Sequence, residues 1–112
     1  MAQIMSSLST HVLDTTLGRP AAGVRVVLTR GATTLAQGVT DADGRCRDFP
    51  TLTAGAHVLT FHAGDYLRAS GTMLADPPFL DIVPIHFGVG DAGHYHVPLL
   101  ISPFAFSTYR GS

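Results

Sequence analysis

Apolar and polar residues alternate in short stretches along this chain, and Gly, Pro or Asp interrupts each stretch before it grows long. Alternation with period two places apolar side chains on one face of an extended backbone, the pattern of a half-buried strand. The stretches cover residues 8–15, 24–30, 34–40, 45–49, 56–63, 79–89, 94–102 and 104–110. Gly18-Arg19-Pro20 breaks the first, and Gly31-Ala32 turns the second into the third. Asp41-Ala42-Asp43-Gly44 is a turn, because Asp-Gly supplies the positive φ of a tight hairpin, and it leaves Arg45 at the mouth of the next strand. Gly90-Asp91-Ala92-Gly93 joins 79–89 and 94–102 as the last long strand pair. Only residues 64–71 read as helical, with Asp65 as N-cap and Gly71 as the stop. About seven or eight short strands, roughly 8–15 residues apart, predict an all-β, two-sheet antiparallel β-sandwich with one short helix.

The charged residues support that reading. All seven cations are Arg and all eight anions are Asp, so the strong helix formers Lys and Glu are missing. With 112 residues the chain has the size of one domain, taken here as 1–112, and can bury roughly two thirds of its unfolded surface in a single core. A hydrophobic share of 46% argues against disorder. A net charge of −1 gives no electrostatic reason to bind nucleic acid or an anionic membrane. No run of about 18 apolar residues exists, and the first ten residues lack a cationic leader, so a cytoplasmic protein is the expectation. Cys46 stands alone and reads as a small buried hydrophobe.

Polar groups that could do chemistry concentrate in three places. In Ser9-Thr10-His11-Val12-Leu13-Asp14, His11 sits mid-strand on one face with Ser9 and Leu13. In Thr40-Asp41-Ala42-Asp43-Gly44-Arg45 a calcium loop fails, because its twelfth residue is Leu52 rather than a bidentate acid. In His94-Tyr95-His96 both imidazoles fall on one face. Such a pair can ligate zinc if a third ligand, such as His11, joins it. Pro98 cannot donate to a sheet ladder, so its strand lies at an edge or bends there. Taken singly, each place also has an ordinary structural explanation. The final Tyr109-Arg110-Gly111-Ser112 follows an apolar run and carries an aromatic ring and a guanidinium to its tip.

Together these segments resemble the transthyretin-like family, and within it the 5-hydroxyisourate hydrolases. The N-terminal signature resembles Ser9-Thr10-His11-Val12-Leu13-Asp14 with Gly18-Arg19-Pro20-Ala21 after it, and Asp43-Gly44-Arg45 is similar to the central motif. His94-Tyr95-His96-Val97-Pro98-Leu99-Leu100, Ser102-Pro103 and Ser107-Thr108-Tyr109-Arg110-Gly111-Ser112 resemble the C-terminal one. The closing tetrapeptide separates these enzymes from the hormone-carrying transthyretins. The chain departs from the family pattern at residues 76–93 and at Phe104 and Phe106, where Tyr is frequent, but at no motif residue.

The resemblance implies a homotetramer with its sites in a channel where two dimers meet. It implies opening of the lactam of 5-hydroxyisourate without metal or other cofactor. His11, Arg45 and His96 are the implied catalytic residues, with His11, Arg45, Tyr109 and Ser112 around the substrate. His11 or His96 would activate water and Arg45 would stabilise the oxyanion. Arg110 could instead pair with an acid and anchor the tail. The alternatives are a small-ligand carrier on the same fold and a zinc module built on His94 and His96.

Overall fold

The computed structural model describes residues 5–111. Its elements are β1 (Ser7–Asp14), β2 (Arg19–Pro20), β3 (Arg25–Arg30), β4 (Thr33–Val39), β5 (Arg45–Cys46), β6 (Gly55–His62), α1 (Ala63–Ala69), β7 (Ile82–Val89), β8 (His94–His96), β9 (Leu99–Ile101) and β10 (Phe106–Thr108). Two sheets form a β-sandwich, as the alternation predicts. One has the order β4-β3-β6-β7 and is antiparallel throughout. The other runs β10-β9-β1-β2, with β5 and β8 also paired to β1. In it β1 is antiparallel to β2 and β5 but parallel to β8 and β9.

The inward residues of both sheets make one core. Val12, Leu28, Leu59, Phe61, Leu99 and Ile101 are all fully buried in it. Along β1, Leu8, Thr10, Val12 and Asp14 are buried on the core side, which turns Ser9, His11 and Leu13 the other way. The buried polar groups of β1 are satisfied. Thr10 Oγ1 donates to the Val97 carbonyl at 2.6 Å. The Asp14 carboxylate accepts from Tyr66 Oη at 2.8 Å and from the amides of Thr16 and Leu17 at 3.0 Å, which also turns the chain out of β1.

Three sequence expectations change. Segments 79–89 and 94–102 do not pair with each other. β7 pairs β6 from Gly55↔Val89 to His62↔Ile82, while β8 pairs β1, so residues 90–93 cross between the sheets. Tyr95 Oη donates to the Asp91 carbonyl at 2.7 Å and Ser7 N donates to the Gly93 carbonyl at 3.0 Å, which docks that crossing onto β1. Segment 94–102 is also two strands, since Pro98 has no N–H and the chain breaks at Val97-Pro98.

The helix N-cap lies three residues earlier than expected. His62 is its N-cap, because β6 runs straight into α1, and Asp65 lies within the first turn, beside the positive end of the helix dipole. Gly64 packs under Asp81, whose carbonyl accepts its amide at 2.8 Å. Gly71, at φ 83°, follows the helix end as anticipated. Among the described residues no helix is long and apolar enough to cross a membrane.

Candidate active site

β1 is the spine of the site. Antiparallel pairing with β5 sets His11 opposite Arg45, and parallel pairing with β8 sets Ser7 opposite His94 and Ser9 opposite His96. The turn before β5 is held by the Asp41 carboxylate, which accepts from the amides of Asp43 at 2.9 Å and Arg45 at 3.0 Å. Gly44 sits at φ 77° with its Cα against β1, where a Cβ would strike the Val12 carbonyl, and its own carbonyl accepts from Val12 N at 2.7 Å. The Asp-Gly turn therefore fixes where Arg45 emerges.

Ser7, Leu8, Ser9, Arg45, Arg47, His94 and His96 line one cavity of about 540 Å³, a size suited to a small ring compound. Its polar lining is imidazole, guanidinium and hydroxyl, with no carboxylate. The expected same-face arrangement of His94 and His96 holds: His94 Nε2 and His96 Nδ1 each share a 2.8 Å hydrogen bond with Ser9 Oγ. Ser7 Oγ bonds His94 Nδ1 at 2.6 Å. Among the described residues no group of three or more His, Cys, Asp or Glu side chains is arranged to hold a metal ion. The inward nitrogens of His94 and His96 are turned to serine hydroxyls instead.

His11 stands beside the cavity, half-buried, with Nε2 2.8 Å from the Asp43 carbonyl. A carbonyl oxygen only accepts, so Nε2 carries the proton and, in the neutral ring, Nδ1 keeps the lone pair.

His96 is held below the ordinary imidazole range, first by burial and then by the positive charges of Arg45, His11 and His94. Each of these disfavours imidazolium. The folded state thus binds a proton at His96 less readily than the unfolded chain. This residue's contribution makes stability rise with pH from its lowered value up to about 6.5, the unfolded value. An NMR titration should place His96 below about 6.5, and Arg45→Gln, by removing a cation, should move its midpoint upward. A midpoint that stays put in Arg45→Gln would contradict the charge argument.

Within the single chain the tail meets this site through its backbone. Tyr109 is 59% exposed and lines a separate cavity of about 320 Å³ with His86, Tyr95, Val97 and Arg110, not the cavity of His94 and His96. Arg110 anchors the tail through the ring of Tyr95, 4.2 Å from its guanidinium carbon, rather than through an acid. Ser112 lies outside the described residues. The contact falls to Gly111, whose amide donates to the His96 carbonyl at 2.8 Å. A Cβ on Gly111 would stand 2.5 Å from His96 Cδ2, so the glycine backbone lies flat against the imidazole. Deleting Tyr109 to Ser112 should therefore release His96 and lower kcat by roughly 100-fold, with circular dichroism unchanged.

Sequence reasoning missed Ser7 and Arg47 as site residues, carried Gly111 only as part of the closing tetrapeptide, and noted Ser9 only as a face-sharing neighbour of His11. The available signal was period two: Ser7, Ser9 and His11 share a face of β1, and Arg47 follows Arg45 by two.

The family model that matches is the HIUase/Transthyretin family, over residues 8–111. The 5-hydroxyisourate hydrolase of Mesorhizobium japonicum is 55% identical over 114 residues, covering 94% of this chain and 91% of that protein. Among solved structures, Klebsiella pneumoniae 5-hydroxyisourate hydrolase superposes with a TM-score of 0.86 at 43% identity, covering 96% of this chain and 100% of that one. Transthyretin from Sparus aurata superposes with a TM-score of 0.83 at 29% identity, covering 94% and 96%.

Proposed function

The chain belongs to the HIUase/Transthyretin family, and from that premise we propose that it opens 5-hydroxyisourate by hydrolysis. The curated relatives make it an enzyme of the hydroxyisourate hydrolase type. The product in this reading is 2-oxo-4-hydroxy-4-carboxy-5-ureidoimidazoline, a step of urate breakdown. The observation that carries it is one cavity in which His96, His94 and Arg45 converge on Ser9 and its neighbours.

Lactam opening requires an activated water, a partner for the developing oxyanion and a proton for the departing nitrogen. His11 and His96 are the candidate bases. A neutral imidazole can take the water proton near neutral pH, and the lowering at His96 keeps that ring neutral. Arg45, with Arg47 beside it, offers planar N–H donors to the carbonyls of a flat polar ring and to the oxyanion. The scheme uses no metal.

The working unit in this reading is a homotetramer with sites between dimers. Tyr109 is exposed and lines a different cavity of its own chain, so in this reading a tyrosine ring over the substrate comes from a second copy. A carrier that binds without turnover would share the fold seen in Sparus aurata transthyretin. The imidazole and guanidinium lining favours the hydrolase, since it suits a polar ring and proton transfer better than an apolar ligand.

The test is direct. Urate oxidase generates 5-hydroxyisourate, and its ultraviolet decay is followed with and without the protein. Faster decay with stereospecific product supports the proposal, and decay at the spontaneous rate rejects it.

A further inference from the structure

Resting on the hydrolase reading of this cavity, we propose that Ser7, His94 and Ser9 are positioning residues that form with His96 a proton relay setting the tautomer of His96. The chain of contacts is continuous: Ser7 Oγ to His94 Nδ1 at 2.6 Å, His94 Nε2 to Ser9 Oγ at 2.8 Å, and Ser9 Oγ to His96 Nδ1 at 2.8 Å. The parallel register of β1 and β8 creates it by placing both serines directly opposite both histidines. Ser9 is 8% exposed, whereas Ser7 is exposed, so the relay has a shielded middle and an end in solvent.

Proton counting leaves two arrangements. Each hydroxyl has one proton, and each neutral imidazole carries one N–H. In the first, His96 Nδ1–H donates to Ser9, Ser9 donates to His94 Nε2, and His94 Nδ1–H donates to Ser7. His96 Nε2 then has a lone pair and can act as a base. In the second, every bond is reversed: Ser7 donates to His94 Nδ1, His94 Nε2–H donates to Ser9, and Ser9 donates to His96 Nδ1. His96 Nε2 then carries a proton and can act as an acid. His11 lacks this freedom, because its partner is the Asp43 carbonyl, which cannot donate. A hydroxyl can do both, so only His96 of the two candidate bases can exchange roles.

The exchange balances. As the water oxygen bonds the lactam carbon, His96 Nε2 takes the water proton. The Nδ1 proton passes to Ser9, the Ser9 proton to His94 Nε2, and the His94 Nδ1 proton to Ser7, which releases its own to solvent. As the C–N bond breaks, His96 Nε2 gives its proton to the departing nitrogen and the relay takes one back at Ser7. The charges facing His96 are Arg45 and Arg47 from the β5 segment, His11 from β1 and His94 from β8, all cationic or able to become so. They oppose a lasting imidazolium and favour passing the second proton on.

The test combines ¹⁵N NMR of the imidazoles, which needs no substrate, with kinetics of Ser9→Ala, Ser9→Thr and the exposed Ser7→Ala. In the wild type both His96 nitrogens should show shifts averaged between two tautomers. Ser9→Ala should collapse them to one tautomer and lower kcat about 10- to 100-fold at nearly constant KM, part of what positioned proton transfer contributes. Ser9→Thr, which keeps the hydroxyl, should restore both, and Ser7→Ala should lower kcat in the same direction. A single His96 tautomer in the wild type, or an active wild type whose Ser9→Ala variant keeps its kcat, would overturn the relay and leave the hydrolase reading standing. A wild type that fails to accelerate 5-hydroxyisourate decay would instead overturn the hydrolase reading, whatever tautomers the spectrum shows.

Discussion

Replacing His96 with alanine is expected to lower kcat by about 10²–10⁴-fold, the range for removing a positioned acid or base. The ring is half-buried at the cavity wall, bonded to Ser9 Oγ on one side and covered by Gly111 on the other. Its loss removes the group that the cationic surroundings keep neutral and ready to accept a proton. The strand itself should survive. The pairing Ser9↔His96 and the bond from Gly111 N to the residue 96 carbonyl are main-chain contacts. His96→Ala should therefore unfold near the wild-type denaturant midpoint while 5-hydroxyisourate decay returns close to the spontaneous rate. Retention of more than about a tenth of wild-type kcat would exclude His96 as base or acid. His94→Ala should be milder, because His94 acts through Ser9.

Arg45→Ala is expected to cost about 10²–10³ in kcat, the range for removing one preorganised donor to an oxyanion. The turn that presents Arg45 is held by Asp41 through main-chain amides and by Gly44 against Val12, none of which uses the guanidinium. The variant should fold normally. Arg45→Lys keeps a charge but loses the planar fork, so it should recover only part of the lost rate. Full activity in Arg45→Ala would shift the oxyanion role to Arg47, which lines the same cavity.

Much of the fold was legible because period-two alternation is a local consequence of strand geometry. β1, β3, β6 and the turn at residues 41–44 came out close to their observed bounds. His11, Arg45 and His96 were legible as a group through their motifs, and the structure brings Arg45 and His96 to one cavity with His11 beside it. The strand pairings were less legible. Alternation marks a strand but not its partner, so 79–89 and 94–102 looked like a hairpin although their hydrogen bonds go to different sheets. The tail's contacts within the chain were not legible for a similar reason. Nothing local to Tyr109 or Arg110 says that Tyr95 will take the guanidinium and leave Gly111 on the imidazole.

By itself the sequence determined a β-sandwich with a tight Asp-Gly turn, an H-x-H strand face and a chemistry of imidazole and guanidinium. Those features depend on backbone period and on the conformations that Gly, Pro and Asp allow over a few residues. The tertiary structure decided that β1 runs parallel to β8, and hence that Ser7 and Ser9 meet His94 and His96 some 85–87 residues away. That choice is non-local. It follows from which apolar faces close a common core, and hydrogen-bonding side chains meet only after the sheets have paired.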